Sequence, residues 1–121
     1  IFTKKLLKGE CPIIHGDGKQ VRDYTFVSDV VAANELALAQ NIEGVFNIGT
    51  SQGTNVNELF DLLVSLTSSK AIEQHGQPKP GEQQKSILSV QKANQILKWS
   101  PQVDLQEGLR QTVAFFKNEK K

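Results

Sequence analysis

Arg22 and Tyr24 stand two residues apart in the run V-R-D-Y-T-F-V at positions 21–27. That run is rich in β-branched and aromatic residues, so it reads as a strand, and a spacing of two puts both side chains on one face. It follows the turn cluster G-D-G-K at 16–19, whose residues tolerate positive φ. A guanidinium is a planar fork donor suited to phosphate or carboxylate oxygens. With an aromatic ring beside it, the strand could hold an anionic ligand. The competing reading is that Arg22 pairs structurally with Asp23 or Asp29 and that Tyr24 only packs. The two aspartates read as structural acceptors, at a strand end and a helix N-cap, rather than as a catalytic carboxylate pair.

Several chemistries lack their residues. Pyrophosphate of a dinucleotide needs glycines at G-x-G-x-x-G or G-x-x-G-x-x-G spacing on a strand-to-helix turn. Neither spacing occurs: Gly16 and Gly18 stand alone, and Gly49 and Gly53 are four apart. A Tyr-x-x-x-Lys acid/base pair is absent, because the one tyrosine, Tyr24, is followed four residues later by Ser28. There is no Gly-Lys-Ser/Thr P-loop and no Gly-x-Ser-x-Gly elbow. Cys11, His15 and His75 have no plausible zinc spacing. This chain by itself is not expected to run chemistry.

Composition narrows the rest. A chain of 121 residues can bury roughly 65% of its unfolded surface, enough for one modest core. Hydrophobic residues at 38% and charged ones at 22% indicate a globular chain. Fourteen basic against thirteen acidic residues leave a formal charge of +1, which argues against a nucleic-acid binder. One cysteine excludes an internal disulfide. No apolar run approaches the roughly 18 residues of a membrane span, and the N-terminus has no signal-peptide pattern. The cytoplasm is the default compartment. The chain contains no methionine and is expected to be a piece of a longer protein.

The elements that must position these residues follow from periodicity. A short helix around Phe2, Leu6 and Leu7 stops at Gly9, and positions 12–15 read as a strand. After the strand at 21–27, Ser28 and Asp29 offer N-cap chemistry to a small apolar helix reaching about Ala39. V-F-N-I-G at 45–49 reads as a short buried strand. Asn55 with Glu58 makes a capping-box pattern for a helix burying Val56, Leu59, Phe60 and Leu63. A weak strand at 71–74 precedes a Gly/Pro-rich loop at 76–81. Ser89 caps a helix with Ala93, Ile96 and Leu97 inward, ended by W-S-P at 99–101. Asp104 and Glu107 open the last helix, which buries Leu105, Leu109, Thr112, Val113 and Phe116. The predicted class is α/β, helix-rich with short strands, as one unit over residues 1–121.

Four motifs in order carry a family resemblance over essentially the whole chain. G-D-G-K-Q-V-R-D-Y-T-F-V-S-D-V at 16–30 resembles G-D-G-x-Q-x-R-D-F/Y-x-Y/H-V-x-D-V/L of the NAD-dependent nucleotide-sugar epimerases and dehydratases, the extended short-chain dehydrogenases, and looks most like the UDP-glucose 4-epimerases. F-N-I-G-T at 46–50 with N-V-N-E-L at 55–59, K-P-G-E at 79–82, and L-K-W-S-P at 97–101 with Leu105, Gly108 and Leu109 resemble the family's later motifs. The resemblance implies the C-terminal, substrate-binding part of a longer enzyme. The absent N-terminal domain, about 150 to 200 residues, would hold NAD and the catalytic Tyr-x-x-x-Lys, so this chain alone would bind no cofactor.

The resemblance also implies roles. Arg22 would contact the diphosphate of a UDP-sugar, and Tyr24 the ribose side. Lys79 and Glu82 take the family's Arg and Asp positions, for phosphate and ribose hydroxyls. Lysine offers a point charge without the fork, and glutamate is one methylene longer than aspartate. Ile13 and His15 flank a strand that offers backbone and side-chain groups to the uracil, and Val56 matches an apolar nucleotide contact. The helix over 30–38 resembles the element that packs on the cofactor domain; without that domain it should show an apolar patch, and dimerisation or swapping would follow. The parent would be an epimerase. Dehydratase, decarboxylase or reductase activity in the same family, a non-catalytic nucleotide-sugar module, and an interaction domain that lost its ligand are the alternatives.

Overall fold

Helix-forming and strand-forming stretches alternate along the chain. In the computed structural model, which describes residues 2–119, they become four α-helices and five very short strands. In order these are α1 (Phe2–Leu7), β1 (Ile13–His15), β2 (Val21–Arg22), α2 (Val27–Gln40), β3 (Thr54–Asn55), α3 (Val56–Thr67), β4 (Gln74–Gly76), β5 (Lys85–Ser86), a π-helical turn (Ala93–Leu97) and α4 (Leu105–Glu119). β1 pairs in parallel with β4, so that Ile13 faces Gln74 and His15 faces Gly76. β2 lies between β3, antiparallel, and β5, parallel.

Two apolar clusters hold these elements. Leu6, Ile14, Phe60, Leu63 and Val113 bring α1, β1, α3 and α4 together, and the ring of Phe2 meets that of Phe60 edge-on at 6.1 Å. α3 supplies its share because Val56, Leu59, Phe60 and Leu63 recur at helical spacing. Its first turn is closed by Asn55, whose Oδ1 accepts from the Glu58 amide at 2.8 Å. The return bond of the pattern runs from Asn55 Nδ2 to the Glu58 carboxylate, not to backbone. The second cluster gathers Ala33, Ala93, Leu97 and Trp99 between α2 and the π-helical turn. Trp99 donates its indole N–H to the Asp29 carbonyl at 2.8 Å, which satisfies its one polar atom when buried.

Several expectations are corrected. The strand expected over 21–27 ends at Arg22, because Asp23 turns its carboxylate into the neighbouring loop. α2 begins at Val27 after Phe26, which provides no side-chain cap. Asp29 is buried inside the first turn, and its carboxylate accepts the amides of Gln102 and Val103 at 3.0 and 3.1 Å. It is a structural acceptor, serving the segment before α4 rather than its own helix. Residues 45–49 form no strand, and Val45 is exposed. The weak strand lies at β4, three residues later than expected. Ile96 points outward while Ala93 and Leu97 are buried, because a π-turn rotates the inward face relative to α-helical spacing. The apolar patch on α2 is present: Val27, Val30, Val31 and Leu38 are all exposed, Leu38 at 85%.

Candidate functional site

The chain reverses after β1 through two glycines, Gly16 at φ 81° and Gly18 at φ 73°, a backbone region L side chains rarely adopt. The turn is clamped from α3. Asn57 donates its side-chain amide to the Asp17 carbonyl at 3.0 Å and its backbone N–H to the Gly18 carbonyl at 3.1 Å. A Cβ on Gly18 would stand 1.9 Å from Asn57 Oδ1, so nothing larger than glycine fits without displacing the Asn57 side chain. The far side of the turn rests on β4. His75 accepts no hydrogen bond in this arrangement, because both ring nitrogens face acceptors: the Gly16 carbonyl at 2.6 Å and the Glu73 carboxylate at 2.5 Å. Those partners, Glu73 first, raise the His75 pKa.

Between this turn and the loop over 77–82 lies an open cleft of about 400 Å³, lined by His15, Gln20, Lys79, Glu82 and Gln84 with the backbone of Gly16 and Gly76. That volume lies within the ordinary range for small-molecule sites. Gln20 forms its floor. Buried itself, it donates its side-chain amide to the His15 carbonyl at 3.2 Å and to Glu82 Oε1 at 3.1 Å. The other carboxylate oxygen of Glu82 faces Arg22 Nη2 at 3.8 Å. Arg22 Nη1 donates to its own strand at the Val21 carbonyl, 2.8 Å. His15 Nδ1 is 3.3 Å from the Gln77 carbonyl, and the Lys79 carbonyl accepts the Glu82 amide at 3.4 Å.

The cleft therefore gathers His15, Lys79 and Glu82, with Arg22 behind Glu82 at its edge. Arg22 does not pair with Asp23 or Asp29; its acidic partner is Glu82. Tyr24 lies beyond the end of β2 and lines a neighbouring hollow of about 200 Å³ with Thr50, Gln52, Thr54 and residues 101–105. Burial chiefly raises its pKa; nearby Arg22 lowers it and Glu82 raises it, so the ring stands within electrostatic reach of the Arg22–Glu82 pair. Ile13 is exposed on the same face of β1 as His15 and leans over Gly76. Val56 is half-buried and packs toward the Phe60 cluster.

One contributor, Gln20, carries no signal of its own type; it belongs to the 16–30 motif, and its spacing of two from Arg22 is the available sign of a shared face. Asp23 is the structural acceptor that its place at a strand end suggests. Its carboxylate takes the amides of Thr50, Ser51 and Leu88 at 2.9, 3.0 and 3.3 Å and the Thr50 hydroxyl at 2.6 Å, tying three segments beside Arg22. Among the described residues no group of three or more His, Cys, Asp or Glu is placed to share a metal ion, and no helix is long and apolar enough to cross a membrane.

The groove holds the Lys79 ammonium, the Asp17 and Glu82 carboxylates, the Gln20 and Gln84 amides and the His15 imidazole, with the Arg22 guanidinium behind Glu82, groups that suit a polyhydroxylated, anionic ligand. A family model described as GDP-mannose 4,6 dehydratase matches residues 2–112. The UDP-glucose 4-epimerase of Mycolicibacterium smegmatis is 38% identical over 120 residues, covering 98% of this chain and 38% of that protein. The crystal structure of the Thermotoga maritima UDP-glucose 4-epimerase with UDP-glucose superposes with a TM-score of 0.93 at 46% identity, covering 99% of this chain and 39% of that one. The Bacillus cereus UDP-glucuronic acid 4-epimerase, in complex with UDP-glucuronic acid and NAD, gives 0.88 at 29% identity, covering 98% and 38%. The chain thus spans about two-fifths of the length of these three proteins.

Proposed function

Because the chain belongs to the NAD-dependent nucleotide-sugar epimerase/dehydratase family, matching its C-terminal part, we propose that its cleft binds the nucleotide diphosphate of a UDP-sugar for an epimerase of the UDP-glucose 4-epimerase kind. Residues 1–121 are read as one substrate-binding unit of that enzyme, acting in the cytoplasm. The observation that carries this reading is the convergence of His15, Gln20, Lys79 and Glu82 on one groove with Arg22 at its edge.

Each group has a task there. Arg22 and Lys79 meet the negative charge of the diphosphate, the first as a fork and the second as a point charge. Glu82, once it has moved off Arg22, accepts from ribose hydroxyls, and Tyr24 closes the ribose side from the neighbouring hollow. His15 and Ile13, both exposed on β1, flank the base, and Val56 adds an apolar contact from the start of α3. Holding the nucleotide in this way fixes one end of the substrate while the sugar remains free to turn. Binding energy far from the reacting carbon then serves orientation.

The residues present do not fit NAD. A dinucleotide needs a glycine-rich turn between a strand and a helix, whereas the space beside the cleft glycines, Gly16 and Gly76, is taken by Pro78 and Ile13. Hydride chemistry is therefore assigned to parts of the parent enzyme beyond these residues. Calorimetric titration of UDP into the chain tests the proposal: saturable binding that inorganic pyrophosphate competes away is expected, and the lack of any binding would sink it.

A further inference from the structure

The Arg22 fork that would take the diphosphate already faces an anion. Glu82 Oε2 stands 3.8 Å from Nη2, and both side chains remain about one-third exposed, at 28% and 33%. Glu82 lines the cleft, and Arg22 stands directly behind it. The Glu82 carboxylate is not loose: Gln20, buried beneath it, holds the other oxygen at 3.1 Å. We propose that Glu82 is an internal stand-in for the ligand's phosphate, so that anion binding at Arg22 proceeds by exchange, the diphosphate in and the carboxylate out. This rests on the nucleotide-binding reading of the same cleft and adds how that site is regulated.

Charge requires the exchange. A carboxylate left beside a bound diphosphate would repel it, and Arg22 cannot turn fully toward both, since Nη1 is held at the Val21 carbonyl. The loop is built to release Glu82. Residues 77–83 are exposed, and Gly81, at φ 76° with nothing within 4 Å of where a Cβ would stand, places no side chain in the way. The Glu82 amide donates to the Lys79 carbonyl at 3.4 Å, so the turn that carries the carboxylate away also carries the Lys79 ammonium. One movement withdraws a negative charge and repositions a positive one.

A partly exposed pair of this geometry is weak, of a strength that competes with a ligand by only about two- to five-fold. Titration of sodium pyrophosphate into the full chain and into Glu82→Gln, Glu82→Ala, Arg22→Ala and Arg22→Ala/Glu82→Gln reads the effect. Both Glu82 single variants are expected to bind pyrophosphate about two- to five-fold more tightly, and Glu82→Gln is expected to add nothing once Arg22 is gone. Unchanged or weaker pyrophosphate binding in both Glu82 variants overturns the proposal. If UDP binds the parent chain while those variants show no gain, the stand-in falls and the nucleotide site stands. If UDP fails to bind while the variants tighten on pyrophosphate through Arg22, the nucleotide reading falls and the stand-in survives.

Discussion

The side-chain amide of Gln20 lies 3.1 Å from Glu82 Oε1 and 3.2 Å from the His15 carbonyl, joining the strand that faces the cleft to the loop that covers it. Gln20 is buried, so removing its amide strands two acceptors. Gln20→Leu should cost about 0.5–1.5 kcal/mol of stability, the net worth of an ordinary hydrogen bond. Urea unfolding measures it, and a change below about 0.5 kcal/mol, the ordinary scatter of surface substitutions, would show that the link adds nothing to stability.

Arg22→Ala should weaken UDP binding by about 1.5–3 kcal/mol, the range for a hydrogen bond to a charged group. Calorimetric affinities that match the parent would remove Arg22 from the site. Lys79→Arg should tighten binding, since a fork replaces a point charge; no gain would mean that Lys79 does not meet phosphate.

His75 couples the turn to pH. Its ring donates toward the Gly16 carbonyl and the Glu73 carboxylate, an arrangement that needs both nitrogens protonated, and Asp17 adds a further favourable charge. The folded-state pKa is raised, with the Glu73 hydrogen bond as its largest cause. Its contribution is therefore fully present below the unfolded value of about 6.5 and is lost as pH rises through the higher folded value. NMR titration should place His75 above that value. In His75→Gln the pH dependence of the urea midpoint across that window should flatten, and an unaltered slope would count against the coupling.

Asp23→Asn should loosen the 50–51 loop. The carboxylate collects three amides and a hydroxyl, and an amide in its place keeps one acceptor oxygen and brings two donors. A loss of about 2–3 kcal/mol is expected from charged hydrogen bonds of this kind. Hydrogen exchange at Thr50 and Ser51 should accelerate well ahead of exchange in α3. Equal protection before and after substitution would mean the loop is held by something else.

Much of this protein was legible in one dimension. α1, α3 and α4 follow from apolar residues at helical spacing, and the Asn55 and Asp104 caps sit where their patterns place them. Ordered motifs identified the family. These are local properties, set by backbone propensity and by periods of 2 and 3.6 residues.

Tertiary structure alone decided the rest. That Arg22 pairs with Glu82 rather than with Asp23 or Asp29 depends on a parallel pairing of β2 with β5 across more than sixty positions. Tyr24 leaves the face of Arg22 because Asp23 is drawn into the 50–51 loop, and residues 45–49 lack a pairing edge among the described residues. Strand propensity says that a segment can extend, but hydrogen-bond partners distant in sequence determine whether it does. Charge partners are chosen in the same way, by which loop closes over which strand, and no spacing along the chain records that distance.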